Sequence, residues 1–498
     1  MMGLGIVAIA VASKIITEIQ IWFYENTFMA ILLMLIVGAG IFYGIKFYWR
    51  MKNPEKHQRN LQLDSMLEDL QDQKLSNSII VGRTIKDRKP VSLTTKQRTG
   101  HVQIIGATGR GKTKSIIVPW FARDMKAGRL PILIDGKGDS EIVDEIKLVA
   151  QGNRVVVFDP TNLRESCTIN PLDGGSAMEI ADRLFCALEF ESSYYKEVQY
   201  SAVLSILEAM EQKRITATLS GIYKALMNPG EFIADAQKSG SPLSDELLRE
   251  LTRLTMMKAD DREEKFSGIL SQLRPFTSGT FSHIVNGQFG DAEYIELDET
   301  LCKNWNENLP YNGLIILLPT MQYQKSAKVL GRLVLQTLAW ATSKRCKADV
   351  APIFIDEFSS FVFDGFEQFL NKARSKGVAL HLSHQSVGDL EAISPSFAKT
   401  VNVNTNVKVL LGLNDPDTAD YFARHLGTNT TTKETERMKR GSFGSTERTG
   451  EISVRTTEEF RIHPNRLKSF SNGQGVLSVL VGGRPLVEEV QFDARVYP

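Results

Sequence analysis

Short, near-continuous runs of apolar residues recur along most of the chain and predict buried strands. They lie at residues 102–105, 130–134, 155–158, 313–318, 352–355, 378–383 and 407–413. Runs without polar alternation are typical of parallel strands that are covered on both faces. Helical patterns separate several of them, and the longest covers residues 326–344. This alternation predicts an α/β fold with a mostly parallel sheet.

The strand pattern stops between residues 177 and 281. That stretch carries helical patterns instead, at residues 178–188, 198–211 and 245–257. We interpret residues 177–281 as an all-α domain inserted into a nucleotide-binding domain. The nucleotide-binding domain would then consist of residues 77–176 and 282–498.

Two regions near the end of the sequence have a different character. Residues 430–457 are rich in Thr, Ser, Gly and charge, which indicates a loop or hairpin. Either a solvated charged loop or a DNA contact fits that composition. Apolar runs at residues 476–481 and 487–492 flank Gly482 and Gly483, so a β-hairpin is predicted there.

The first fifty residues read as a membrane anchor. Residues 27–45 contain no charged residue, and a helix over 27–48 is long enough to cross a bilayer. A second, marginal span or an interfacial helix is predicted near residues 3–24. Residues 51–76 follow as a charged linker. Five basic residues come after the apolar run and place the large domain in the cytoplasm by the positive-inside rule: Lys46, Arg50, Lys52, Lys56 and Arg59.

Composition adds limits to this picture. The 498 residues are enough for two or three folded units, and 42% apolar with 23% charged residues is a globular balance. The net charge of +1 gives no global basic field for nucleic acid. The four cysteines are far apart in the sequence, which argues against a zinc site or a disulfide framework: Cys167, Cys186, Cys302 and Cys346.

The strongest chemical motif follows the predicted strand at 102–105 and precedes a helical pattern at 114–126. A glycine-rich loop between a strand and a helix turns its backbone N–H groups towards phosphates. We expect Lys112 to reach the β- and γ-phosphates of ATP and Thr113 to bind Mg²⁺. The whole loop is the predicted phosphate site: Gly106, Ala107, Thr108, Gly109, Arg110, Gly111, Lys112 and Thr113.

The rest of the predicted catalytic site follows two later strands. Asp356 and Glu357 end the apolar run at 352–355, where Asp356 would hold Mg²⁺ and Glu357 would polarise the attacking water. Gln385 follows the next strand and is placed to sense the γ-phosphate. The nearest match to a guanine-binding motif carries Arg374 in place of its aspartate, so a GTPase is not predicted.

Four further motifs are Asp135-Gly136-Lys137-Gly138-Asp139, Phe158-Asp159-Pro160, Asn170-Pro171-Leu172 and Gln385-Ser386. With the glycine-rich loop and the acidic pair, they make the chain resemble the type IV secretion coupling proteins, the TraG/TraD family of conjugative DNA-transfer ATPases. The four motifs are similar to that family's D-x-K-G, F-D-P, N-P-L and Q-S segments. The resemblance runs from the apolar N-terminal segment to near residue 492. It implies a RecA-like P-loop domain with an inserted all-α domain and an N-terminal transmembrane helix or helices.

The resemblance also implies a function. Such a protein would be an ATPase and DNA translocase in the bacterial inner membrane, with ATP and Mg²⁺ as cofactors. It would form a homo-hexamer among membrane lipid and pass relaxase-bound single-stranded DNA to the type IV secretion channel components. Arg374 is our candidate for an arginine supplied to the neighbouring subunit. Two alternatives are an FtsK/HerA-type segregation translocase and a nucleotide-gated membrane receptor that docks protein substrates.

Overall fold

The structure is a computed structural model in which most of the chain after residue 77 is described. The described residues are 17–18, 78–150, 152–238, 242–288, 290–291, 293–302, 310–345, 349–440, 446–481 and 484–492. The predicted membrane spans and the linker lie outside them, apart from the helical pair Thr17 and Glu18. None of the helices among the described residues is both long and apolar enough to cross a bilayer.

Fifteen strands are present in the described residues. The first eight are β1 (Ser78–Thr84), β2 (Pro90–Thr94), β3 (Val102–Ile105), β4 (Ile132–Asp135), β5 (Val155–Phe158), β6 (Thr168–Ile169), β7 (Tyr294–Ile295) and β8 (Gly313–Leu317). The others are β9 (Ala351–Asp356), β10 (Val378–His384), β11 (Val407–Leu411), β12 (Thr428–Arg440), β13 (Thr446–Phe460), β14 (Gln474–Val481) and β15 (Arg484–Gln491).

Eleven of these strands form one sheet, in the order β2-β1-β15-β14-β11-β3-β10-β9-β4-β8-β5. The seven strands from β11 to β5 are parallel to one another and almost entirely buried. This explains their near-continuous apolar sequences, because neither face meets water. The prediction of an α/β fold with a mostly parallel sheet is therefore confirmed.

The other four strands of the sheet extend it from β11 as an antiparallel edge. The predicted hairpin near Gly482 and Gly483 is present as the pair β14 and β15, although those two glycines lie outside the described residues. Residues 428–460 form a separate two-stranded ribbon, β12 and β13, which pair along most of their length. The region predicted as a loop or hairpin is thus a long β-hairpin.

Sixteen α-helices connect the strands in the described residues. They are α1 (Thr95–Arg98), α2 (Val118–Lys126), α3 (Ser140–Val149), α4 (Ala177–Ala187), α5 (Ser193–Gln212), α6 (Leu219–Met227), α7 (Pro229–Lys238) and α8 (Asp245–Met256). Those that follow are α9 (Ala259–Leu273), α10 (Leu297–Cys302), α11 (Gln324–Lys344), α12 (Phe366–Ala373), α13 (Gly388–Glu391), α14 (Pro395–Asn404), α15 (Pro416–Leu426) and α16 (Pro464–Ser469).

Helices α4 to α9 occupy the stretch that the sequence predicts to be all-α. The first begins with a capping box, in which Ser176 and Glu179 satisfy each other's backbone N–H groups. Their apolar faces belong to a hydrophobic cluster that continues into the sheet, for example from Leu207 of α5 to Ile134 of β4. The described residues from 78 to 492 belong to one compact unit. The division of this unit into a nucleotide-binding domain and an inserted domain stays a prediction.

Candidate active site

The candidate site lies at the carboxyl ends of the central parallel strands. Strand β10 is hydrogen-bonded to β3 on one side and to β9 on the other, so the segments that follow these three strands meet. The register pairs Ile105 with His384, and Leu382 with Ile355. Ligands of open parallel sheets bind at this edge. The sheet order therefore brings the glycine-rich loop, the acidic pair and Gln385 together.

The glycine-rich loop turns sharply before the first helical residues. Gly111 has a φ of +91°, and a Cβ there would lie 2.9 Å from the Ser115 hydroxyl, so glycine is required by both conformation and space. Residues Lys112–Ile117 then form π-helical turns that lead into α2. A widened helical turn of this kind is common at functional sites.

Lys112 lies inside the loop rather than in solvent. Its ammonium Nζ donates to the Gly106 carbonyl at 2.6 Å, and 5% of the residue is exposed. Burial lowers its pKa, while the charge of Asp356 opposes that shift. The lysine is thus held beside the backbone that would surround a phosphate.

Asp356 is fully buried at the end of β9 and has three side-chain partners. Its Oδ2 accepts from the Thr113 hydroxyl at 3.1 Å and from the Lys137 ammonium at 2.9 Å. Its Oδ1 accepts from the Ser383 hydroxyl at 2.6 Å. Burial raises the pKa of Asp356, but the Lys137 charge and these hydrogen bonds outweigh burial, so the pKa lies below its ordinary value. The carboxylate stays ionised next to Thr113.

Gln385 connects the acidic pair with the glycine-rich loop. Its side-chain Nε2 donates to Glu357 Oε1 at 3.2 Å, and its Oε1 accepts from the Thr108 hydroxyl at 3.0 Å. The backbone N–H groups of Gln385 and Ser386 both donate to the Asp389 carboxylate, at 2.9 and 3.0 Å. The segment after β10 is therefore fixed by its own turn. It holds the side-chain amide of Gln385 between Glu357 and Thr108.

Glu357 itself has an unusual backbone conformation. Its φ of +56° and ψ of +40° place it in the left-handed region, which costs a residue with a side chain roughly 1–2 kcal/mol. Residues held in such conformations are concentrated at active sites. The conformation turns the chain directly after Asp356, and the carboxylate of Glu357 meets Gln385.

Three polar residues belong to this site although the sequence analysis gave them no role in it: Ser383, Lys137 and Asp135. Ser383 is the penultimate residue of β10 and is buried. Lys137 stands in the D-x-K-G segment, which was read only as a family motif. Asp135 is paired in register with Asp356 on the neighbouring strand. A polar residue at the carboxyl end of a central strand is the signal that would have found Ser383 and Asp135.

Asp135 is a second buried carboxyl group beside Asp356. Its Oδ2 accepts from the backbone N–H groups of Gly138 and Asp139, at 2.7 and 3.1 Å, and its Oδ1 is buried without a hydrogen-bond partner among the described residues. Burial and the neighbouring Asp356 charge raise its pKa to about 7. Two adjacent carboxyl groups thus differ in their tendency to ionise.

His384, the last residue of β10, lies in the interior of the protein. It is fully buried, and its ring nitrogens contact the Gln103 side-chain amide at 2.9 Å and the Ser386 carbonyl at 2.8 Å. Burial lowers its pKa to about 4, so the ring is neutral at physiological pH. These contacts agree with a structural histidine.

The exposed part of the glycine-rich loop contacts a different region of the chain. The guanidinium of Arg110 donates to Asn414 Oδ1 at 3.2 Å, and the Arg110 carbonyl accepts from the Gly473 N–H at 3.2 Å. Gly473 lies just before β14, and its own carbonyl accepts from the Phe492 N–H at 2.8 Å. The loop is therefore supported from the antiparallel side of the sheet. Gly109 projects from it, with no atom of the part of the chain that the structure describes within 4 Å of where a Cβ would stand.

Arg374 lies apart from the other predicted site residues. It is exposed and begins the short turn Arg374–Lys376, which leads into the amino end of β10. The site is at the other end of that strand, roughly 20 Å away at about 3.3 Å per residue. Arg374 therefore cannot act on the site of its own chain.

The residues present fit a nucleotide with Mg²⁺. Thr113 and Asp356 are within hydrogen-bond distance of each other, as is needed for a hydroxyl and a carboxylate that share one metal shell. Lys112 and the backbone of the loop supply positive charge and N–H donors at the start of a helix. The fold and site together define a P-loop nucleotide-binding protein.

Comparisons with known proteins narrow that class. Residues 352–472 match the family model described as the TraM recognition site of TraD and TraG. Residues 62–185 match the model described as type IV secretory system conjugative DNA transfer. The chain is 22% identical to the type 4 coupling protein DotL of Legionella pneumophila over 403 residues. That alignment covers 67% of this chain and 50% of DotL, so the chain spans about half the length of this curated relative.

Solved structures give the same fold. The unbound coupling protein TrwBdeltaN70 superposes with a TM-score of 0.55 at 15% identity, covering 85% of this chain and 90% of TrwBdeltaN70. TrwB in complex with ADP and Mg²⁺ superposes with a TM-score of 0.53 at 14% identity, covering 83% and 89% of the two chains. These matches support the resemblance to the type IV secretion coupling proteins that the sequence motifs indicated.

Proposed function

We propose that this chain is an ATP-driven coupling protein that helps to move DNA into a type IV secretion channel during conjugation. The observation that carries the proposal is the meeting of Thr113 with Asp356, and of Gln385 with Glu357, at the carboxyl edge of the sheet. The match of residues 62–185 to a conjugative DNA-transfer model supports a function in DNA transfer. A TrwB structure that contains ADP and Mg²⁺ supports the choice of cofactors.

Each side chain has a proposed part in hydrolysis. Lys112 and the N–H groups of the loop bind the β- and γ-phosphates, while Thr113 and Asp356 hold Mg²⁺. Mg²⁺, when bound, neutralises charge on the phosphates. Glu357 orients the attacking water and accepts its proton. Gln385 is fixed between Glu357 and Thr108, so it relates the position of the water to the position of the phosphates.

The finer parts of the proposal concern the assembly. A homo-hexamer would place the exposed Arg374 of one subunit at the site of the next, where it would stabilise charge on the γ-phosphate. The apolar segment at 27–48 would hold this ring in the lipid of the bacterial inner membrane, with residues 78–492 in the cytoplasm. The partners would be relaxase-bound single-stranded DNA and the channel components. Contacts with the DNA backbone would weaken with salt.

The proposal is tested by ATP hydrolysis of the detergent-solubilised full chain, with and without single-stranded DNA at low salt. We expect hydrolysis that DNA stimulates several-fold and that added salt suppresses. Glu357→Gln should bind nucleotide like the wild type but turn over at least 100-fold more slowly, as expected for a residue that acts on the reacting water. The matched control is Glu263→Gln, on the exposed face of α9, which should leave the rate unchanged.

Three results would contradict parts of this proposal. An assembled wild type without ATP hydrolysis would exclude the motor. Relaxase binding that depends on nucleotide but proceeds without turnover would instead support the receptor alternative. Normal turnover by Glu357→Gln would remove Glu357 from its assigned part and leave the resemblance to the coupling proteins untouched.

A further inference from the structure

Lys137 places a positive charge between the two carboxylates of the site. Its Nζ lies 2.9 Å from Asp356 Oδ2 and 3.8 Å from Glu357 Oε1. The same Asp356 oxygen accepts from the Thr113 hydroxyl at 3.1 Å. In a P-loop site the divalent metal lies between the Thr hydroxyl and the aspartate. The ammonium therefore contacts the same Asp356 oxygen as the hydroxyl that would share the metal with this carboxylate.

The backbone around Lys137 is firmly held. Asp135 Oδ2 accepts from the N–H groups of Gly138 and Asp139, and the Gly136 carbonyl accepts from both the N–H and the hydroxyl of Thr320, at 3.1 and 2.7 Å. Gly138 has a φ of +68°, and a Cβ there would lie 2.5 Å from Pro319. The turn is thus fixed on both sides of Lys137.

The side chain of Lys137 is not fixed in the same way. Its relative exposure is 38%, whereas that of the Asp356 side chain is 0%. A lysine carries its charge on a flexible four-carbon stem, so the ammonium can leave while the turn stays in place. Asp356 cannot follow it, and a buried carboxylate needs a cation beside it. Whatever displaces the ammonium must therefore bring positive charge of its own.

We propose that Lys137 is a positioning residue that holds the metal's place in the nucleotide-free site, so that Mg²⁺ enters only together with the nucleotide. The inference rests on the proposed function, because it concerns the same metal position. In the absence of nucleotide the ammonium competes with a divalent ion for Asp356 and Glu357. The phosphate oxygens of a nucleotide would complete the metal's coordination, and Lys137 would then release Asp356.

The test measures Mn²⁺ binding to the full chain by electron paramagnetic resonance, with and without ADP. The wild type should bind Mn²⁺ weakly without ADP, and Lys137→Met should bind it at least tenfold more tightly because a nearby positive charge is gone. With ADP present the two proteins should differ by less than threefold. Lys137→Arg keeps the charge and should behave like the wild type.

A second measurement does not depend on the first. Without nucleotide, added Mn²⁺ should raise the melting temperature of Lys137→Met more than that of the wild type, because a ligand stabilises the state that binds it. Lys137→Gln serves for both measurements if the methionine variant does not fold. Lys147→Met is the matched control. Lys147 lies on α3 and also forms an ion pair with a carboxylate, since its Nζ is 3.7 Å from Glu165 Oε2. It should leave Mn²⁺ binding unchanged.

The outcomes separate this inference from the proposed function. Equal Mn²⁺ affinity of Lys137→Met and the wild type without ADP would overturn the inference, even if ATP hydrolysis is found. Tighter binding that persists after Asp356→Asn is added to Lys137→Met would overturn it as well, because the gained ion would then lie elsewhere. Tighter binding that Asp356→Asn abolishes supports the inference, and a wild type without ATP hydrolysis would refute the motor alone.

Discussion

Gln385 donates a hydrogen bond from its side-chain Nε2 to Glu357, 3.2 Å from Oε1. The other end of the same amide accepts from the Thr108 hydroxyl at 3.0 Å. The Gln385 side chain thus joins the proposed water-orienting carboxylate of Glu357 to the glycine-rich loop. A group in this position can make hydrolysis depend on the correct placement of the phosphates.

Replacing Gln385 should therefore affect the chemical step more than binding. We expect Gln385→Ala to lower kcat by about tenfold or more, because small errors in positioning cost this much, and to leave nucleotide affinity within about threefold. Steady-state kinetics combined with binding of a fluorescent nucleotide checks both numbers. Gln368→Ala on the exposed face of α12 is the control. A loss that appears only in affinity would contradict the assigned role.

The left-handed backbone of Glu357 should lower the stability of the protein. Glu357→Gly should be more stable than Glu357→Ala by about 1 kcal/mol, since glycine adopts a φ near +56° without steric cost. Chemical denaturation measures the difference. Glu263 lies within helix α9, and its Gly variant should be the less stable one there by about 1 kcal/mol. The same sign at both positions would show that Glu357 is not strained.

Asp135 should make the stability of the protein depend on pH. Its pKa is raised to about 7, well above that of an unfolded aspartate near 3.9, so the folded state binds the proton more tightly. The stabilising contribution is complete below pH 4 and is lost as the pH rises to 7 and beyond. Asp135→Asn removes this titration. Between pH 5 and 8 the melting temperature of the variant should therefore fall less, or rise more, than that of the wild type.

The comparison between the two proteins matters more than either curve. The buried ring of His384, whose pKa is lowered to about 4, gives stability that rises with pH and opposes the effect of Asp135. Both proteins contain His384, so its effect cancels in the difference. Parallel curves from pH 5 to 8 would mean that Asp135 is ionised in the folded chain throughout.

Arg374 should act across a subunit interface. Arg374→Ala and Lys112→Ala should each be inactive alone, but a mixture should recover part of the activity, because some interfaces then combine an intact loop with an intact arginine. Lys372→Ala, also exposed at the end of α12, should be active alone. ATP hydrolysis of co-assembled variants provides the measurement. No recovery in mixtures shown to be mixed hexamers would argue for a structural Arg374.

The central strands of the fold were predicted well, because a strand that is buried on both faces has a near-continuous run of apolar residues. Strands β3, β5 and β10 coincide with near-continuous apolar runs, within one residue at each end. The four antiparallel strands could not be joined to this sheet in advance. The pairing of β1 with β15 joins residues that are far apart in sequence, such as Thr84 and Val490, and neither residue carries a sign of the other.

The site was predictable to the extent that its residues end strands. Asp356, Glu357 and Gln385 stand at such positions, and parallel order brings strand ends together. Lys137 was read only as part of a motif, since its importance depends on a turn that directs the side chain back to Asp356. That turn depends on Pro319 and Thr320, which come from the segment after β8. Contacts of this kind follow from tertiary packing and leave no periodic pattern.

The hydrogen bonds of Gly473 have a mechanical consequence. Its N–H holds the Arg110 carbonyl of the glycine-rich loop, and its carbonyl holds the N–H of Phe492, the last described residue. A displacement of the loop by nucleotide would thus pull directly on the end of β15. Arg110 in the glycine-rich loop and Phe492 after β15 are thus connected through the backbone of one residue, Gly473. A truncation that removed Phe492 would loosen the loop without touching any residue that contacts phosphate.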